Sequence, residues 1–492
     1  MAVTAGGTPA GGRPRTIVTA DPELDDLNSL IRLVLYSNEL QIEGLIYASS
    51  RFHWRGDGNG TVFFLPDREY AEPRTSWRWA PDERFIDDVV DAYARVHENL
   101  VVHDPSYPSP AHLRSVVCEG NVSFEGDTSE ETDGSRLIVR ALLDDRPGPV
   151  HLQVWAGTST IARALMSIEE QYRGRGEWDR VRKAVSKKAI ITKFASQDDT
   201  YEDYIKPRWP DIRVTDVATF AWGYFARRVL TEQEMPLLSA GWLRDHVTSV
   251  GPLGALYRVW GDGRKMVEDD PTDYFGLTGY TADQLRAMGY GVWADPEQVG
   301  ERISEGDTTN MLNLLVPSLR GHEHPSFGGW GGRAIRTPDT LDTWTVRGAE
   351  DALADGSIPP EQSVVRWFAD AQADFAARLR WTVSARFADA NHHPTLRVLQ
   401  GTDIRVSPGD DVALSAVVDD PDGDAVRCHW WHYREAGTFP GPVPISPPDG
   451  ESTRVAIPAD AQAGQTIHVI LEASDDADEP LKAYQRLVLQ VV

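Results

Sequence analysis

The segment Thr16-Ile-Val-Thr-Ala-Asp-Pro-Glu-Leu-Asp-Asp26 constrains this chain more than any other. A β-rich run, Thr16–Ala20, stops at Asp21, and Pro22 suits the first position of a helix. Leu24, Leu27, Leu30, Ile31, Val34 and Leu35 then recur at helical spacing, and a second strand-like run follows at 42–48. The pattern predicts a β-α-β unit with Asp21, Asp25 and Asp26 at the carboxyl end of its first strand. Open α/β sheets bind their ligands at that edge. Three carboxylates so close repel one another unless a cation sits among them, and oxygen-only ligands suit Ca²⁺ or Mg²⁺. Acidic residues are also favoured in the first turn of any helix, so the flanking strands carry the metal expectation.

Residues 13–388 continue as alternating strand-like and helical runs. Helices are expected over 85–98, 135–143, 161–171 and 360–380, and strands over 151–156 and 189–194. Such alternation predicts a mostly parallel sheet covered on both faces. The composition changes at Asp389-Ala-Asn-His-His-Pro394. From 389 to 492, short β-rich runs alternate with turn signals such as Pro421-Asp-Gly-Asp424, which suggests an immunoglobulin-like β-sandwich. Trp430 and Trp431 are neighbours on one of these strands and must face opposite ways. One belongs in the sandwich core; the other contacts sugar or packs on the first domain.

Residues 1–12 are rich in Gly and Ala and read as a flexible leader. They lack the basic and apolar regions of a signal peptide, so the chain as written is expected to be cytoplasmic, with a secreted form whose leader was removed left open. A net charge of −26 argues against nucleic acid or anionic membrane as partner. No apolar run is long enough to span a bilayer. Two cysteines, Cys118 and Cys428, provide no disulfide framework. Neither a Gly-x-Ser-x-Gly elbow nor a phosphate-cradling Gly-rich loop ending in Lys-Ser/Thr is present.

Asp21-Pro-Glu-Leu-Asp-Asp26 resembles the Asp-Pro-Gly-x-Asp-Asp signature of the inosine-uridine nucleoside hydrolases, with Glu23 in place of glycine and Thr19 where a further Asp is usual. Later segments resemble a narrower branch: His103-Asp-Pro-Ser-Tyr-Pro108, Gln197-Asp-Asp-Thr200, Glu305-Gly-Asp-Thr308 and Gly328-Gly-Trp-Gly-Gly-Arg333, in that order. These are similar to bacterial proteins described as cellulose-binding, with a nucleoside hydrolase-like domain followed by a β-sandwich.

The resemblance implies a catalytic Ca²⁺ held by Asp21, Asp25 and Asp26, a carbonyl at Thr160 and a late carboxylate at Asp307. Asp21 would take a proton from water, which then attacks an anomeric carbon with inversion. The superfamily's leaving-group histidine is Gly306 here, and its Asn- and Glu-rich ribose segment is replaced by Ser196-Gln-Asp-Asp199. A furanosyl or other small plant or microbial glycoside is therefore favoured over a nucleoside, with Glu305 as candidate general acid. Ser50, Gln197, Asp198, Trp155, Trp222 and Trp330 are the candidate substrate contacts. Two other functions stay open: an inactive polysaccharide-binding protein with cellulose as ligand, and nucleoside hydrolysis. The superfamily also commonly forms dimers or tetramers.

Overall fold

The computed structural model describes residues 12–268, 270–316, 319–338 and 340–492. The leader expected at 1–12 lies, except for Gly12, outside them. The first strand, β1 (Arg15–Ala20), is buried at every position and pairs in parallel with β2 (Gln41–Tyr47) and β4 (Val150–Val154). Both faces are covered, so even the polar side chains of these strands are buried and pair with one another: Gln153 Nε2 donates to Thr16 Oγ1 at 2.7 Å. The eight-stranded sheet runs β3-β2-β1-β4-β5-β6-β8-β7, with β3 at Val117–Glu119, β5 at Ala189–Lys193 and β6 at Arg213–Asp216. Only the short edge pair β7 (Ile335–Arg336) and β8 (Thr343–Thr345) is antiparallel. Strand order moves outward in one direction from β1 and in the other from β4. The crevice between their carboxyl ends is thus the topological switch point.

Helix α1 (Leu24–Leu35) connects β1 to β2, and its apolar positions are all buried except Leu27, which is partly so. Pro22 precedes the helix rather than opening it: Glu23 is the N-cap residue, and the Asp21 carbonyl accepts from the Glu23 N–H at 2.8 Å. The tight turn projects Asp21, Glu23, Asp25 and Asp26 toward the switch point. Helix α2 (Phe85–His103) runs a turn longer than its apolar spacing predicts and stops where Pro105 disfavours continuation. Helices α3 (Asp133–Leu143), α4 (Ser159–Tyr172) and α5 (Trp178–Lys188) complete the layers near β3–β5. Residues 217–334 depart from the expected alternation. The described residues among them form turns and short helices, and they supply Tyr224, Ser304 and Asp307 to the crevice.

After α6 (Phe368–Trp381), two four-stranded sheets face each other. One has the order β10-β16-β15-β12 and the other β13-β14-β11-β9. Their ranges are β9 Thr395–Val398, β10 Asp403–Val406, β11 Asp411–Asp419, β12 Arg427–His432, β13 Ile445–Ser446, β14 Ser452–Ala456, β15 Thr466–Ser474 and β16 Lys482–Val491. Pairing is antiparallel except between β10 and β16. Trp430 lies in the sandwich core and donates to the Gly450 carbonyl at 2.8 Å. Trp431 faces the other way and packs on Trp367, ring centroids 6.0 Å apart, so its role is in the seam with the α/β layers.

That seam is a continuous core. Tyr433, Ala436, Ile470 and Tyr484 of the sandwich share one buried cluster with α1, α2 and α6. Arg486 on β16 is fully buried and donates to the carbonyls of Leu319 (2.6 Å) and Gly328 (3.1 Å). The Gly328–Arg333 loop therefore belongs to the seam: Gly331 N–H donates to Asn313 Oδ1 at 3.0 Å, and a Cβ at Gly332 would meet Val364 at 2.5 Å. His103 likewise ties a loop down, with Nδ1 2.9 Å from His392 Nε2. Cys118 and Cys428 are both free thiols.

Candidate functional site

The turn after β1 brings four carboxylates together, and a fifth joins them from a distant segment. Asp21 is fully buried, and neither carboxylate oxygen has a hydrogen-bond partner. Asp26 is held by the Asp21 N–H, 3.0 Å from its Oδ1. Asp25 Oδ2 accepts from Ser304 Oγ at 2.9 Å, leaving Oδ1 buried and unpartnered. Glu23 Oε1 accepts from the Tyr224 hydroxyl at 2.8 Å. Asp307, in the helical turn Gly306–Thr308, is buried with Oδ1 unpartnered.

Protonation responds to this crowding. Burial, then the charges of Asp25 and Asp21, pushes Glu23 up to about 8. Burial and Asp21 bring Asp25 up to about 6. Asp26 and Asp307 are raised well above the usual carboxylate range, by burial first and then by neighbouring carboxylates. Orphaned buried oxygens that repel one another are the donor set of a cation site, and hard oxygen ligands are what Ca²⁺ and Mg²⁺ prefer. The residues present therefore fit a divalent ion.

His53 was not legible as a site residue. It follows β2, two residues beyond the Ser50–Arg51 step, and its Nδ1 lies 3.1 Å from Asp21 Oδ1 and 3.9 Å from Glu23 Oε2. Burial alone would lower its pKa, but the charges of Asp21 and Glu23 outweigh burial and raise it. The available signal was its place just past a parallel strand's carboxyl end. Tyr224 carried no such signal, because residues 217–334 show no periodicity.

Several expected roles are corrected. Glu305 does not face the carboxylate cluster. Arg32 grips it through Nε (2.7 Å) and Nη2 (3.1 Å), Tyr257 donates to it, and Arg302 lies 3.7 Å away. Burial would raise Glu305, yet Arg32 and Arg302 hold it below the usual range, which is unsuited to a proton donor. Thr160 sits in the first turn of α4, and its Oγ1 accepts from Asn121 N–H at 2.8 Å. Trp155, Trp222 and Trp330 are all core residues, so none offers a face to a sugar. Asp198 caps α4: it accepts from Ser159 N–H, Thr158 Oγ1 and Thr200, leaving little for a ligand. Gln197 donates to the Trp155 carbonyl at 2.7 Å, and its Oε1 is buried without a partner. Ser50 Oγ accepts from the backbone N–H groups of Phe52 and His53, building the turn that places His53.

Gly306 also has a steric reason. A Cβ there would meet Asp25 Oδ2 at 2.8 Å, so any side chain at this position requires the Asp25 carboxylate to shift. Exposed aromatic surface lies instead beside Tyr224. Trp293 packs edge-on against it at 4.5 Å and contacts Phe225, which contacts Phe220. Trp293 is 43% exposed and Phe220 40%.

A parallel sheet with this switch-point carboxylate cluster defines a nucleoside hydrolase-like protein. Residues 15–334 match the family model described as "Cellulose-binding Sde182, nucleoside hydrolase-like domain", and residues 411–491 match "Cellulose-binding protein Sde0182, C-terminal domain". The chain belongs to this Sde182 family. Among solved structures it is similar to a nucleoside hydrolase-related hypothetical protein from Saccharophagus degradans, described as associated with carbohydrate metabolism. The likeness has a TM-score of 0.72 at 25% identity and covers 98% of this chain and 100% of that one. A match to protocadherin gamma B7 extracellular cadherin domains 1–4 covers 18% of this chain at 14% identity with a TM-score of 0.12, too low to define a fold. No curated protein matches the chain.

Proposed function

We propose that this protein is a Ca²⁺-dependent glycoside hydrolase acting on a furanosyl or other small plant or microbial glycoside. One observation carries the reading: buried carboxylate oxygens of Asp21, Asp25 and Asp307 lack any hydrogen-bond partner at the sheet's switch point. Asp21, Asp25, Asp26 and Asp307 would hold the ion. When bound, it supplies Lewis acidity and a grip on vicinal sugar hydroxyls. Asp21 accepts the proton of the attacking water, and the orphaned Oδ1 and Oδ2 leave it free to do so. Attack without a covalent intermediate breaks the bond from the anomeric carbon to the aglycone, which leaves with a proton taken from solvent, and inverts the configuration.

Trp293 and Phe220, next to Tyr224, offer exposed aromatic faces to a sugar or aglycone. This strip and the family's description support a second reading, a cellulose-binding protein with little or no catalysis. Sugar release from aryl furanosides, aryl pyranosides, nucleosides and plant oligosaccharides, comparing wild type with Asp21→Asn in calcium, tests the first. Release by wild type alone is expected; equal release by both sinks the role of Asp21. Retention of the full chain on insoluble cellulose, with no release from any glycoside, would favour the second.

A further inference from the structure

The carboxylate cluster holds more negative charge than one divalent ion can balance. Asp21, Glu23, Asp25, Asp26 and Asp307 amount to a formal −5, and among the described residues no Lys or Arg forms a salt bridge to any of them. His53 alone lies within ion-pair distance. Buried charges without partners are costly, so such a site must be filled by cations or by protons.

The ligand atoms divide into two groups. Glu23, Asp25 and Asp26 each offer an oxygen within 4.8 Å of the others. Asp21, Glu23 and His53 do the same, with one nitrogen in the set. Glu23 is common to both, at the position where the resembled signature has glycine. An independent observation points the same way: His53 is 2% exposed, and neither ring nitrogen has a hydrogen-bond partner although Nδ1 is 3.1 Å from Asp21.

We propose that this chain binds two divalent cations bridged by Glu23. One position is the oxygen-only calcium position of the proposed hydrolase, to which Glu23 adds an oxygen beside Asp25 and Asp26. The other is mixed, held by Asp21, Glu23 and His53. The inference rests on the cation-dependent reading above and extends it. Oxygen ligands select Ca²⁺ or Mg²⁺, whereas an imidazole nitrogen favours a first-row transition ion. The second ion changes the formal charge from −3 to −1, given that the five carboxylates start at −5. Carboxylate-bridged pairs of this kind commonly place their ions about 3.5–4 Å apart.

The test counts metals. The full-length protein is stripped with EDTA, dialysed against Ca²⁺ and Co²⁺ together, and analysed by inductively coupled plasma mass spectrometry, with the visible Co²⁺ spectrum as a second readout. The expected result is one calcium and one cobalt per chain. His53→Ala loses the cobalt and its absorption while keeping the calcium. Asp25→Asn loses the calcium and keeps the cobalt. Circular dichroism establishes that each variant is folded. A single ion in wild type, or unchanged cobalt uptake in His53→Ala, overturns the two-cation site and leaves the hydrolase reading standing. No ion at all overturns both.

Discussion

Replacing Glu305 by glutamine separates a structural carboxylate from a proton donor. Arg32 is fully buried, donates twice to Glu305 and also to the Ala371 carbonyl and Gln372 Oε1, and has no other acidic partner within salt-bridge distance among the described residues. Glu305→Gln keeps the shape but leaves that guanidinium without its counter-charge, and Arg302 loses its nearest carboxylate as well. Removing one partner of a buried pair costs about 3–5 kcal/mol. An unfolding entropy of about 2.1 cal/mol/K per residue gives about 1 kcal/mol/K for a chain of this length, so Tm should fall by about 3–5 °C. Differential scanning calorimetry measures that shift, and sugar release below the new transition should persist with its pH profile intact. A variant with unchanged Tm and abolished turnover would refute the reasoning and return Glu305 to the chemistry.

Three further outcomes are expected. His468, whose Nδ1 is 3.0 Å from Arg486 Nη1, is held down to about 2, by burial first and then by Arg486, and burial holds His151 down to about 3. Both stay neutral in the folded protein while the unfolded chain takes up protons below the ordinary value of 6.5, so each costs about 1.4 kcal/mol per pH unit as pH falls from there toward 3. Denaturation midpoints between those limits should fall less steeply for His151→Asn/His468→Asn than for wild type; parallel slopes would exclude this source of acid sensitivity. Calcium at a hundredfold excess over its dissociation constant should stabilise the protein by about 2.7 kcal/mol and raise Tm by about 3 °C, reversed by EDTA, and thermal scans blind to both would count against a cation site. Trp293→Ala should weaken soluble oligosaccharide binding about fivefold, the loss of about 1 kcal/mol of aromatic contact, without lowering Tm; titration calorimetry showing wild-type affinity would remove the strip from substrate recognition.

Strands and helices with clear periodicity were legible from the residues. The buried runs of β1, β2, β4 and β5 and the apolar stripe of α1 read correctly to within a residue or two, because core burial wrote them into the sequence. The Asp21–Asp26 turn was legible because a β-α-β unit fixes where its carboxyl end lies. The rest of the site was not. His53 was marked only by its place just past the carboxyl end of β2, and Tyr224 comes from a segment whose shape is set by tertiary contacts, so nothing local marks it. The tryptophans misled for a related reason. A large aromatic near a motif is as useful to a core as to a sugar, and Trp155, Trp222 and Trp330 are buried in the core. Glu305 lies two residues before Asp307, but as the N-cap residue of a one-turn helix it turns to Arg32 instead of the carboxylate cluster.

The seam around Arg486 bears on how this protein can be taken apart. Because that guanidinium is satisfied by Leu319 and Gly328, residues outside the sandwich, cutting the chain ahead of β9 would hand water a charged group, His468 and the rings of Trp431 and Tyr484 at once. A sandwich excised that way would be sticky for reasons unrelated to carbohydrate, and its capture by cellulose would report the wound. Dissection by scissors is thus the wrong tool for this architecture; single-residue changes in the uncut chain are the ones whose results can be assigned.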